Sequence, residues 1–241
     1  MIFFPLKDVN STPNDWGLSF EPVSLRLKDN TKVSAWYIPH PQARKTVLFF
    51  HGNGGNMSHR ASSVSVFHQL KLNVLIIDYP GYGESEGVPT ESGLYQSADA
   101  AWHYLINAKK FKTENIIIFG RSLGGAVAVD LASRVNAAAV IVESTFTSAH
   151  DMADIIFPVL SRFLVLRYSF DSMSKIKNIS SPLLVIHSPD DEMIPFTLGE
   201  KLFTHANANK QFLKIAGGHN DGFIKSMSSY QKTLKQFIQN P

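Results

Sequence analysis

Six short runs rich in β-branched and aromatic residues recur along this chain, at Thr46 to Phe50, Asn73 to Asp78, Asn115 to Phe119, Ala138 to Val142, Leu183 to His187 and Gln211 to Ile215. Most are apolar throughout instead of alternating, the pattern of strands covered on both faces, as in a parallel sheet. Helix-length segments stand beside them: Ser58 to Leu70, Ser92 to Ala108, Leu123 to Val135, Leu198 to Ala206 and Phe223 to Ile238. Repeated β–α alternation predicts an α/β fold with helices on both faces of a mostly parallel sheet. Ahead of the series, Val23 to Leu27 and Val33 to Ile38 alternate around Lys28-Asp29-Asn30, which predicts an antiparallel hairpin at a sheet edge and brings the sheet to about eight strands.

One segment interrupts the alternation. Phe146 to Asp171 is long and carries Ile155, Ile156, Phe157, Leu160, Phe163 and Leu164. Long connections in compact domains are often lids, so the expectation is a single domain over 1–241 with a short helical cap at about 146–171. Pro158 and Arg162 predict two short helices there.

Composition excludes several function classes. At 241 residues, 44% hydrophobic and 18% charged, the chain has ample material for a core. Its net charge of +3 comes from scattered Lys and Arg without the blocks of a nucleic-acid footprint. It has no cysteine, which removes disulfides, thiolate metal sites and a cysteine nucleophile. The first apolar residues are broken by Pro5 and Lys7, and Ile155 to Leu166 by Pro158 and Arg162, so neither a signal peptide nor a spanning segment is expected. The expected location is cytoplasmic, with peripheral association at a membrane left open.

Chemistry enters at Gly120-Arg121-Ser122-Leu123-Gly124, a Gly-x-Ser-x-Gly sequence between an expected strand and an expected helix. The bare pentapeptide arises by chance in roughly one chain in ten of this length, from glycine and serine frequencies near 7%. Its placement carries the inference: a serine on a sharp strand-to-helix turn is held in a strained conformation that pushes its hydroxyl into a cleft. Serine needs a base within hydrogen-bond reach, and the base needs a carboxylate to fix its tautomer. Asp191 follows the strand Leu183 to His187, and His219 follows the last strand. Asp190 is the second choice as acid and His187 the second choice as base. The glycine-rich loop His51-Gly52-Asn53-Gly54-Gly55-Asn56 follows strand Thr46 to Phe50, where an oxyanion donor belongs. The N–H groups of Asn53 and Leu123 are the expected donors, each worth about 3 to 4 kcal/mol in such sites. His51 reads as a structural histidine under that loop, and Glu143 as a strand-end residue bonded to nearby backbone. With Asp151 and Asp154, Glu143 is also a candidate anchor for an amine substrate.

With Asp78-Tyr79-Pro80-Gly81-Tyr82-Gly83, these motifs make the chain resemble the α/β-hydrolase family, especially its small, nearly lidless alpha/beta hydrolase-domain branch. The resemblance runs from about Gly17 to the end. His-Gly-Asn-Gly-Gly, Gly-Arg-Ser-Leu-Gly-Gly, Asp-Asp-Glu-Met-Ile-Pro and Gly-Gly-His-Asn-Asp all stand in family order. It implies Asp191 as the acid, four residues before Pro195, and Tyr79 and Tyr82 as supports that perform no chemistry. Eukaryotic relatives include thioesterases that remove palmitate from proteins, many with a membrane anchor or a cysteine-rich lipidated segment; neither is read in these 241 residues, so a membrane depalmitoylase is not the expectation. Ser188 stands where relatives often have glycine after the strand histidine, a small departure that leaves the triad intact and loosens only the assignment of the loop. The implied activity is a serine hydrolase of small ester or thioester substrates, with an amidase, a peptidase or a non-catalytic binding protein as rivals. No metal or cofactor is called for, and no nucleic-acid partner.

Overall fold

The computed structural model describes residues 3–156, 158 and 166–240. Its strands are β1 (Phe4–Pro5), β2 (Glu21–Arg26), β3 (Lys32–Ile38), β4 (Thr46–Phe50), β5 (Gly54–Gly55), β6 (Asn73–Ile77), β7 (Ile116–Arg121), β8 (Ala139–Glu143), β9 (Leu183–His187) and β10 (Lys210–Lys214). Among the described residues eight of these form one sheet, in the order β10-β9-β8-β7-β4-β6-β3-β2. Pairings from β6 through β10 are parallel, while β3 runs antiparallel to both β6 and β2. The parallel core and the leading edge hairpin are as the sequence predicts.

The helices are α1 (Ala61–Gln69), α2 (Glu91–His103), α3 (Leu123–Ala132), α4 (Ala149–Ile156), α5 (Ser172–Ile176), α6 (Phe196–His205), α7 (Gly222–Lys225) and α8 (Met227–Gln239). They bury the sheet from both sides, which is why its strands are apolar throughout. Along β4, Leu48 and Phe50 join a core with Leu94 and Trp102 of α2 and Val127 of α3. Val47 and Phe49 join the opposite core with Val64 and Phe67 of α1 and Leu234 and Phe237 of α8. Period-two alternation of side chains sends neighbours to opposite faces, so both must be apolar. Every residue of α3 is buried, as expected of a helix that is hydrophobic all round.

Several elements differ from the sequence reading, the short α5 among them. The expected helix Phe223 to Ile238 is broken at Ser226, where the hydroxyl accepts a hydrogen bond from Ala216 N–H (2.8 Å) and ends α7 before α8 begins. The pairing of β1 with β5 was not expected: Phe4–Pro5 lies parallel to Gly54–Gly55 and straps the glycine-rich loop. Of the two helices expected in the 146–171 segment, α4 is described; Phe157, Leu160, Arg162, Phe163 and Leu164 lie outside the described residues. At the far end of that segment Phe170 is buried, with Phe3 and Tyr95 edge-on to its ring, and its N–H donates to Glu91 (2.8 Å).

Strand order decides where a site can form. From β4 the chain moves to β6 on one side, then returns to β7 on the other, so the loops after β4 and β7 leave adjacent strands in diverging directions. Ligands of open α/β sheets bind at such a switch point, beyond the carboxyl ends of the strands.

Candidate active site

Ser122 occupies that position. It follows β7 directly and heads α3 with φ 55° and ψ −122°, a region that a non-glycine residue enters only when its surroundings over-determine it. The flanking glycines are required by contact. A Cβ on Gly124 would stand 2.0 Å from the Phe50 carbonyl oxygen, and one on Gly120 would stand 2.1 Å from the Gly124 carbonyl oxygen. Their absence lets the first turn of α3 press onto the ends of β4 and β7. Ser122 N–H donates to the Glu143 carbonyl (2.9 Å), and Thr145 Oγ1 donates to the Ser122 carbonyl (2.8 Å). The strained residue is thus tied to β8 and the loop that follows it.

The structure brings the three expected side chains into one line. Ser122 Oγ lies 3.1 Å from His219 Nε2, and His219 Nδ1 lies 2.9 Å from Asp191 Oδ2 and 3.1 Å from Oδ1. His219 is 5% exposed and the Asp191 side chain is fully enclosed. Burial by itself would raise the Asp191 carboxyl; hydrogen bonds from His187, His219 and the Ile194 N–H outweigh it and hold the group well below the usual carboxylate range. Asp190, the second choice, is exposed and accepts a long bond from Gly217 N–H (3.4 Å).

His187, the second choice as base, serves the acid loop instead. Its Nε2 donates to the Ile194 carbonyl (2.9 Å), and Gly199 packs so closely that a Cβ there would lie 2.3 Å from the partnerless Nδ1. Ser188 joins the acid and histidine loops: its hydroxyl donates to the Gly217 carbonyl and accepts from Asp190 N–H.

Loop 51–56 closes the other side. The site of a Cβ on Gly52 lies 3.3 Å from Ser122 Cβ, so this loop abuts the serine. Asn53 follows, its side-chain oxygen accepting from Tyr82 Oη (2.8 Å) and Phe4 N–H (3.2 Å). Leu123 is the first residue of α3, where helix N–H groups have no partner within the helix. His51 is fully buried beneath the loop, with Nε2 3.0 Å from Asp78 Oδ1 and its carbonyl accepting from Tyr79 Oη (2.8 Å). Burial drives both tyrosine hydroxyls far above their ordinary range, keeping them protonated as donors.

Glu143 ends β8 and bonds to nearby backbone, as expected, through its carbonyl and Ser122 N–H; its enclosed side chain, also a candidate amine anchor, is engaged elsewhere. The buried carboxylate pairs with Arg121 Nε (3.3 Å) and accepts from Tyr230 Oη. Arg121, which sequence reading passed over as the variable residue of the pentapeptide, donates to the His219 carbonyl (2.6 Å). The signal available was its adjacency to Ser122, which names no partner.

Comparison with known proteins identifies the family. Residues 41–169 match the hydrolase family model described as serine aminopeptidase, S33. The chain is 35% identical to the alpha/beta hydrolase domain-containing protein WAV2 of Arabidopsis thaliana, over 95% of this chain and 81% of that one. It is 38% identical to alpha/beta hydrolase domain-containing protein 17B of Homo sapiens, over 93% and 79%. Among solved structures, the Pyrococcus furiosus esterase Pf2001 superposes with a TM-score of 0.81 at 18% identity, covering 99% of this chain and 97% of that one. An alpha-beta hydrolase from Vibrio vulnificus gives 0.75 at 25% identity, over 90% and 81%. The chain belongs to the alpha/beta hydrolase family.

Proposed function

We propose that this hydrolase is a serine hydrolase of carboxylic esters or thioesters, working through an acyl-enzyme on Ser122. The observation that carries the reading is the unbroken hydrogen-bonded line from Ser122 Oγ through His219 to the enclosed Asp191 carboxylate. His219 Nε2 takes the hydroxyl proton as Oγ attacks the carbonyl carbon, and Asp191 stabilises the imidazolium so formed. The Asn53 and Leu123 N–H groups hold the resulting oxyanion. Collapse expels the alcohol or thiol, which receives the proton from His219. Water, deprotonated by the same ring, then releases the acid and restores Ser122.

We take residues 1–241 as one domain with the 146–171 segment as its cap. Ile155, Ile156 and Leu166 are exposed there and offer an apolar surface for an acyl chain. The amidase or peptidase reading draws on the description of the matching family model. The proposed anchors for an amine speak against it: Glu143 is committed to Arg121 and Tyr230, Asp151 accepts from Thr147 Oγ1, and Asp154 lies 3.5 Å from His150. Rapid-mixing kinetics on p-nitrophenyl esters of increasing acyl length, beside the matching anilides, test the choice. The expected result is a burst of nitrophenolate that matches the enzyme concentration and disappears in Ser122→Ala. Faster turnover of the anilides would reverse the assignment.

A further inference from the structure

The loop that carries His219 begins Ala216-Gly217-Gly218, and Gly217 sits at φ +99°. Two successive glycines give this backbone more conformational freedom than any other pair would, yet the imidazole must span Ser122 and Asp191 to within tenths of an ångström. Among the side chains that constrain the loop, two attach to the peptide groups of His219 itself. Arg121 Nη2 donates to the His219 carbonyl (2.6 Å), and Glu192 Oε2 accepts from the His219 N–H (2.9 Å). Arg121 directly precedes the nucleophile, and Glu192 directly follows the acid.

We propose that Arg121 and Glu192 are positioning residues that grip the base at both ends of its backbone, so that the nucleophile loop and the acid loop each hold the histidine loop in register. The inference rests on the triad reading above. The Arg121 side is rigidly backed. Its guanidinium pairs with Glu143, which is buried and accepts in turn from Tyr230 of α8, and it lies 4.7 Å over the Phe223 ring of α7. Burial and the Glu143 charge push the Tyr230 phenol well up, so it remains a donor. A guanidinium suits the task because its planar fork can serve a carboxylate and a carbonyl together. The Glu192 side depends on a missing side chain: a Cβ on Gly218 would stand 2.5 Å from Glu192 Oε2, so only glycine lets the carboxylate lie across the loop. The glycines are tied as well, Ser188 donating to the Gly217 carbonyl and Asp221 accepting from Gly218 N–H (2.7 Å).

The test is steady-state hydrolysis of p-nitrophenyl butyrate by wild type, Ser122→Ala, Arg121→Met, Glu192→Ala and Glu192→Gln. Thermal melts and the far-downfield proton resonance of the His219 ring N–H that faces Asp191 accompany it. Misplacing a catalytic group by about 1 Å costs up to about a hundredfold in rate. Arg121→Met and Glu192→Ala are expected to lower kcat by about tenfold, a partial misplacement on that scale. KM should stay within about twofold, because neither residue is placed to touch the ester. The downfield resonance should shift or broaden in both. Glu192→Gln should recover most of the rate, since an amide oxygen still accepts from the peptide N–H. Folded Arg121→Met and Glu192→Ala proteins with wild-type kcat and an unmoved resonance would overturn the grip, as would equal losses in Glu192→Gln and Glu192→Ala. Glu192 is exposed, so its variants decide the matter should Arg121→Met fail to fold. Absence of Ser122-dependent turnover in wild type would sink the triad reading instead, and the resonance would then judge the grip alone.

Discussion

At Gly124 the fold and the site meet in one atom. Adding a methyl group there would drive it to 2.0 Å from the Phe50 carbonyl oxygen, backbone against backbone, with no flexible end to move. Gly124→Ala should therefore cost at least the roughly 1 to 3 kcal/mol typical of overpacking, read from urea unfolding, and should displace Ser122 enough to abolish turnover. Asp191→Asn should leave the loop nearly intact, because its amide oxygen can still accept from Met193 and Ile194 N–H, but should favour the wrong tautomer of His219. A loss of about 10⁴ in kcat with little change in KM is the expected outcome in ester kinetics. Ser122, Asp191 and His219 were legible in the sequence because each directly follows a strand-like run and their chain order suits the topology. Arg121 and Glu192 were not, because their partners are peptide groups of His219, 98 and 27 residues away, and no spacing rule names a backbone partner. The side-chain partners of Glu143 were hidden for a related reason: they come from another strand and from α8, brought near only by the folded sheet.

Among the elements, the long apolar runs announced themselves and the short ones did not. A five-residue strand buried on both faces leaves a compositional mark, whereas the two-residue pairing of β1 with β5 has no period to detect. Yet β1 matters to the site, since Phe4 N–H and Tyr82 Oη share the side-chain oxygen of Asn53. Tyr82→Phe keeps the buried ring and removes one donor to that oxygen. It should lower stability by about 1 kcal/mol, measured by thermal melting, and slow acylation several-fold through looser placement of the glycine-rich loop. Unchanged acylation would show that Asn53 is held by its other contacts alone. The break between α7 and α8 was hidden because the segment remains helix-compatible on both sides of Ser226. Only the tertiary bond from Ala216 N–H reveals the stop.

For the whole molecule, α/β alternation carried the prediction because both sheet faces are covered, and burial on both faces is written directly into composition. The same enclosure links the site to stability. The Asp191 carboxyl is held below its unfolded value of about 3.9. Its stabilising contribution is therefore complete above that pH and lost as pH falls through the lower folded value, where the native carboxylate takes up its proton. The stability gap between wild type and Asp191→Asn, read from urea titrations, should be constant above about pH 5 and shrink below about pH 4; a gap that widened in acid would contradict the assigned sign. Whether Ser122 is an activated nucleophile is measured most directly by reaction of the folded protein with a fluorophosphonate, with the adduct located by mass spectrometry. Rapid labelling at Ser122 alone, absent from Ser122→Ala and strongly slowed in His219→Ala, is the result predicted. A folded wild-type protein that stayed unlabelled, or that reacted equally fast without His219, would contradict it.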